Sequence, residues 1–157
     1  MEILKPPKKI QKRKRDNYIF LCGSIEMGVA ENWQEKVEKS FMGDAFKNLI
    51  IFNPRRDDWD SSWVQSIDNP QFRKQVEWEL EALEMSDGVV VYFDKETKSP
   101  ITLLEIGLLA KMMKPVWVVC PDGFWRKGNV EVVSKRYGLD MCKDLEEAIN
   151  KAKYYLS

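Results

Sequence analysis

The sequence predicts an α/β fold, a three-layer sandwich in which helices cover both faces of a parallel sheet of five strands. Three observations carry this. Short apolar runs recur along the chain, NYIFLCG (17–23), NLIIFNP (48–54), DGVVVYFD (87–94) and KPVWVVCP (114–121), and continuous apolar runs without alternation mark strands buried on both faces. Segments with helical apolar spacing stand between them, and strands alternating with helices build parallel sheets. The 157 residues are enough for one domain with a substantial core.

The elements follow in order. The run 17–23 ends in a Gly turn, and the helix over 32–42 carries Trp33, Val37 and Phe41 on one face. Pro54 stops the second strand. A polar loop without periodicity, RRDDWDSSWVQSID (55–68), comes next, and loops of this length in a compact domain are usually functional or disordered. Asn69 and Pro70 suit the N-cap and first turn of a helix reaching about Met85. The third strand is 87–94, Ser99-Pro100 opens the next helix, and 114–121 is the fourth strand. Residues 129–137 fit helix or strand, a short fifth strand falls near 139–142, and 143–156 closes the chain as a helix. Ligands of such folds bind beyond the carboxyl ends of the strands, here in the loops after Cys22, Phe52, Phe93 and Val119.

Composition removes several function classes. No apolar run approaches the roughly 20 residues of a membrane span, and nothing resembles a signal peptide. The three cysteines, Cys22, Cys120 and Cys142, are far apart and include no CxxC pair, which suits free thiols in a reducing cytoplasm. Histidine is absent, so chemistry must rest on carboxylates, hydroxyls, lysine or backbone, and no metal or cofactor is implied. Residues 2–15 carry seven Lys/Arg against one Glu, +6, within a chain of zero net charge. Residues 1–16 therefore read as a flexible basic arm ahead of a single domain, 17–157, and any nucleic-acid contact belongs to that arm.

Two carboxylates stand on the wrong faces. At about 100° per residue, Phe72, Val76, Leu80 and Leu83 form one stripe, and Glu79 falls inside it. In 101–112, Ile101, Leu104, Leu108, Leu109 and Met112 share a sector with Glu105 near its middle, and the rest of the helix is apolar or small. A helix apolar all round is buried, often against a second subunit. Each glutamate could be held by a buried Arg or Lys. Alternatively they form a carboxylate pair in a pocket, one kept protonated by burial beside an ionised nucleophile. Retaining glycoside cleavage uses two such carboxyls about 5 Å apart.

FLCGSI at the first strand end, WELEALEMSDGVVVYFD and SPITLLEIGLLA resemble the nucleoside 2-deoxyribosyltransferase-like superfamily, which includes the nucleotide N-glycosidases. The resemblance covers about residues 17 to 155 and implies a flavodoxin-like five-stranded sheet. NPRRDDWDSSW and CPDGFWRKGNVEVV resemble a deoxyribosyltransferase-like subgroup. By this resemblance Glu105 is the nucleophile attacking C1′ of the sugar. Glu79 stands where the family usually has Asp, near the base and sugar. Asp87 matches a structural acidic residue, and Asn129 matches an Asn lent across a subunit interface to the neighbour's substrate, which implies a homo-oligomer. Gly23, Ser24 and Ile25 belong to a turn shared with the N-glycosidases, although Glu26 replaces the basic residue that follows there. Transferases of free nucleosides typically have Asp at the position of Ser99; the monophosphate N-glycosidases have Ser, whose hydroxyl at a helix start suits an anion. Ser99 can equally be only an N-cap.

The loop offers Asp57, Asp58, Trp59 and Trp63 for the base, by stacking and by accepting from an exocyclic amine; the tryptophans can equally pack the loop on itself. Arg55, Arg56, Arg126 and Lys127 are candidate phosphate partners, or partners of the many acidic groups. The expected function is cleavage of the N-glycosidic bond of a nucleoside or nucleoside 5′-monophosphate through a glycosyl-Glu105 intermediate, by hydrolysis or base transfer. The competing reading is a non-catalytic nucleotide-binding module on the same fold.

Overall fold

The computed structural model describes residues 1–26, 30–56, 58 and 60–157. The strands are β1 (Glu2–Leu4), β2 (Asn17–Gly23), β3 (Leu49–Phe52), β4 (Gly88–Tyr92), β5 (Val116–Val119) and β6 (Asp140–Cys142). The helices are α1 (Trp33–Ser40), α2 (Pro70–Met85), α3 (Pro100–Leu109), α4 (Lys127–Tyr137) and α5 (Leu145–Leu156). All strand pairs are parallel, in the order β1-β3-β2-β4-β5-β6. The segment 129–137, open between helix and strand from its pattern, is α4.

Among the described residues the sheet has six strands, not five. The extra strand comes from the stretch read as a basic arm: Glu2, Ile3 and Leu4 pair with Ile50, Ile51 and Phe52. More of that stretch is pinned than its charge suggests. Trp78 Nε1 donates to Lys8 O at 2.8 Å, Arg13 N donates to Tyr18 Oη at 2.6 Å, and Arg13 pairs with Glu2 at 2.8 Å. Ile10 packs on the core. Apolar residues scattered among the lysines supply the burial that the charge count hides.

Alternation along the strands divides the core in two. Tyr18, Phe20, Phe52, Val89, Val91 and Val118 face Trp78, Leu83, Ile106, Leu109 and Val130 of α2, α3 and α4. Ile19, Leu21, Ile51, Val90 and Val119 face Trp33, Val37, Phe41, Ala148 and Ala152 of α1 and α5. These are the three layers, and each fully buried large side chain adds about 1.5–3 kcal/mol of transfer free energy. Among the described residues no helix is long and apolar enough to cross a membrane.

Caps fix the helix ends. Asn69 Oδ1 accepts from Phe72 N at 3.0 Å with Pro70 in the first turn, as its position predicts. At the other end of α2, Lys114 Nζ donates to the carbonyls of Leu83, Glu84 and Ser86 at 2.8, 2.9 and 2.6 Å, placing a cation on the negative end of the helix dipole. Asp87 is structural as expected: its Oδ2 accepts from Tyr18 N at 2.8 Å, locking β4 to β2 at their starts.

The chain leaves β2 toward β3 on one side, then returns to place β4 on the other. The crevice beyond the carboxyl ends of β2 and β4 lies at this reversal, where open α/β sheets bind ligands.

Candidate active site

A cavity of 660 Å³ opens at that crevice. Gly23, Ser24, Ile25 and Glu26 line it after β2, Pro54 and Arg56 after β3, and Ser99 and Pro100 at the start of α3. The loop after Val119 contributes no lining residue among those described. It meets the edge instead, where Trp125 Nε1 donates to Lys98 O at 2.9 Å.

Helix α2 presents Phe72, Val76, Glu79 and Leu80 to this cavity. The predicted stripe therefore faces the cavity over most of its length. The sheet side of α2 is a second apolar stripe, Trp78, Ala82 and Leu83. Helix α3 adds Ile101, Leu104, Glu105 and Leu108. Its apolar surface is not buried all round in a single chain. Ile101, Leu104 and Leu108 are 58%, 66% and 41% exposed, while Ile106 and Leu109 face the core and the buried Thr102 lines the cavity.

The two glutamates share this hollow, and among the described residues neither makes an ion pair. Glu105 is 8% exposed and Oε2 accepts a hydrogen bond from Cys22 Sγ at 3.1 Å. Burial pushes its carboxyl up to about 7, the Cys22 bond works against the rise, and the nearby Glu79 adds to it. Burial also raises Glu79, opposed by a bond from Gln75. Burial and the Glu105 charge keep the Cys22 thiol well above its ordinary range, so it remains a donor. The thiol steadies one carboxylate oxygen of Glu105.

Glu79 is oriented by a relay. Gln75 Nε2 donates to Glu79 Oε1 at 2.7 Å and to Pro54 O at 3.4 Å. Arg56 Nη1 donates to Gln75 Oε1 at 3.4 Å. Arg56 is itself held in a fork by Asp58, at 2.9 and 2.8 Å, and lies 5.1 Å from the centre of the Trp63 ring. Asp58 and Trp63 thus stand behind Arg56, while Ser61 and Gln65 of the same loop reach the wall. Asp57 and Trp59 lie outside the described residues. Gln75 was missed by the sequence reading, although its spacing of four from Glu79 puts the two on one helix face.

The turn after β2 is held from both sides. Trp33 Nε1 donates to Ser24 O at 3.0 Å, Ser24 N donates to Tyr92 O at 3.0 Å, and the Trp33 and Tyr92 rings stack at 5.2 Å. Ser99 sits at the N-cap position of α3, but its side chain makes no capping bond. Asn129 is exposed on α4 and lines no part of this cavity.

The other candidate phosphate partners are engaged elsewhere. Lys127 pairs with Asp122 at 2.5 Å and Glu131 at 3.7 Å, Arg126 stacks 4.4 Å from the Trp125 ring, and Arg55 Nη1 donates to Gln34 Oε1 at 3.5 Å. A cleft of 790 Å³ lies on the other side of the fold, between β5, β6 and α5. On its lining Lys151 pairs with Asp140 and Glu147 at 2.8 and 3.1 Å. Among the described residues the carboxyls that burial raises, Glu79 and Glu105, both line the first cavity, which makes it the candidate site.

No curated protein matches the chain at a significant level. Residues 16–124 match the model of the family described as nucleoside 2-deoxyribosyltransferase like. That span contains β2 through β5 and both glutamates, and with it the cavity described above, so the chain belongs to the nucleoside 2-deoxyribosyltransferase-like family.

Proposed function

We propose that this chain cleaves the N-glycosidic bond of a nucleoside or nucleoside 5′-monophosphate through a covalent glycosyl-Glu105 intermediate. The observation that carries the reading is the pair of glutamates without cationic partners facing one sheltered cavity. Two carboxyls in such a place cannot both ionise freely, so one proton is retained between them near neutral pH. The Cys22 hydrogen bond favours charge on Glu105 and the Gln75 bond favours charge on Glu79; with Glu105 raised to about 7, the reactive form is the fraction in which Glu105 is ionised and the shared proton sits on Glu79.

The ionised Glu105 attacks C1′ of the sugar. The bond from its oxygen to C1′ forms as the C1′–N bond breaks, and that electron pair leaves with the base. Glu79 gives its proton to the departing base. Water, or a second base, then attacks C1′; the ester bond breaks, Glu105 is freed, and Glu79 recovers a proton from the attacking group. Phe72, Val76 and Leu80 supply an apolar wall for the flat face of a base.

Incubation with deoxynucleosides, ribonucleosides and their 5′-monophosphates, followed by chromatography, is expected to release free base with wild type and none with Glu105→Ala. Tight binding without base release by wild type would instead identify a binding module.

A homo-oligomer is part of the proposal. Ile101, Leu104 and Leu108 form an exposed apolar edge at the cavity mouth, and a second copy laid there would cover it, exclude water and bring a residue such as Asn129 to the neighbour's substrate. Sedimentation velocity should find dimers or larger species; a monomer at all concentrations would remove Asn129 from the site. The three buried free thiols suit a cytoplasmic setting.

A further inference from the structure

The end of the cavity farthest along the sugar from the cleaved bond has an unusual electrostatic lining. Ser99 precedes Glu105 by six residues, 105 − 99, about 9 Å of helix rise. Ser99 and Glu26 line the same cavity as Glu105; with C1′ at Glu105 and the base against the α2 wall, the start of α3 is the part of the lining left for the exocyclic arm of the sugar.

Three hydroxyls meet there. Ser24 Oγ lies 2.5 Å from Ser99 Oγ and 3.0 Å from Thr97 Oγ1, and the Thr97 and Ser99 oxygens are 2.7 Å apart. Thr97 donates to Asp94 O at 2.9 Å, and Ser24 accepts from Asp94 N at 2.9 Å. With the Thr97 proton on Asp94 O, the Ser24 and Ser99 protons fill the two shortest contacts. The triangle then has no hydroxyl proton left to offer a ligand, only lone pairs.

Glu26, exposed on the cavity lining, lies beside Ser99. Its Oε1 accepts from Lys98 N at 3.1 Å and from Ser99 N at 3.3 Å. Those N–H groups belong to Ser99, the N-cap of α3, and to the residue before it, on the approach an outside anion would take to the helix start. The chain has put its own carboxylate there. Arg56, the basic residue among the described lining residues, is already forked onto Asp58, and the Lys98 ammonium sits 4.8 Å over the Trp125 ring.

We propose that Glu26 is the specificity-determining residue of this site, an internal anion that accepts a hydrogen bond from a neutral 5′-hydroxyl and repels a 5′-phosphate. The proposal rests on the N-glycosidic reading above and narrows it, from nucleosides or their monophosphates to substrates uncharged at the 5′ end.

The test uses one deoxynucleoside, its 5′-monophosphate, and the full-length chain. Calorimetric affinities are measured on the Glu105→Gln protein, and kcat/KM on wild type. The nucleoside is expected to be preferred by at least about 100-fold in both, since like charges brought together in a pocket are strongly disfavoured. Adding Glu26→Gln, which keeps an acceptor for the two N–H groups, is expected to shrink the preference at least about tenfold through tighter monophosphate binding. Equal or better binding of the monophosphate by the Glu105→Gln protein overturns the proposal, as does a preference unmoved by Glu26→Gln. Binding that favours the nucleoside, with no turnover of either compound, sinks the catalytic reading and leaves Glu26's role standing. Should Glu26→Gln fail to fold, the preference measured without that substitution decides alone.

Discussion

Glu105→Gln is expected to yield a more stable protein that has lost the proposed glycosidic activity. The carboxyl of Glu105 rises from an ordinary 4.5 to about 7 in the folded chain. Between those values the folded state binds a proton that the unfolded state has released, so stability falls as pH rises through this window and is fully retained only below it. The shift corresponds to about 3 kcal/mol lost by pH 8, at about 1.4 kcal/mol per pH unit. A neutral Gln, which can still accept from the Cys22 thiol, does not incur that loss. Its Tm at pH 8 should exceed that of wild type by roughly 5–10 °C, with little difference at pH 4. In the proposed mechanism Glu105 forms the bond to C1′, so turnover should fall at least ~10³-fold. Thermal unfolding across pH 4 to 8 decides the first part; a variant less stable than wild type at pH 8 would mean that Glu105 is compensated by something other than the Cys22 bond. The trade of stability for reactivity is common in active sites.

Gly23→Ala is expected to lower stability by at least about 3 kcal/mol, at the upper end for a single added methyl. Gly23 pairs with Tyr92 at the end of β2. A Cβ there would stand 2.3 Å from Tyr92 O and 2.8 Å from a Trp33 ring carbon. The carbonyl is backbone and cannot swing away, and Trp33 is held by its bond to Ser24 O. The strands must part at the point where the cavity begins, so ligand affinity falls together with the denaturant midpoint. A midpoint equal to that of wild type would show that the turn yields more easily than its two clamps suggest.

Much of this architecture could be read from the chain. The strands of 17–23, 48–54, 87–94 and 114–121 were visible because each is buried on both faces and so is apolar throughout. Helix α2 was visible at both ends because Asn69-Pro70 carries a local capping signal and the apolar strand run 87–94 follows directly after Met85. The odd placement of Glu79 and Glu105 was equally legible, since a wheel fixes relative directions on a helix. What a wheel cannot fix is which side meets the sheet. Helix α2 has two apolar stripes, and the one with Phe72 and Val76 turned out to line the cavity. Strand β1 was hidden because three residues carry no periodicity and their pairing with β3 depends on contacts 48 positions away, Glu2 with Ile50. The Ser24, Thr97 and Ser99 cluster was hidden for the same reason, as its members come from separate strand ends. The loop 55–68 has no repeating pattern, so its residues could be proposed by type but not placed.

The edges of the sheet restrict how copies of this protein can associate. β1 covers one flank of β3, and the opposite flank ends in β6; each border strand is three residues long. So short a run of free backbone donors and acceptors is a poor template for a strand from another molecule. Continuous intermolecular sheets are thereby discouraged, and self-association is directed to side-chain surfaces, of which the uncovered flank of α3 is the most oily.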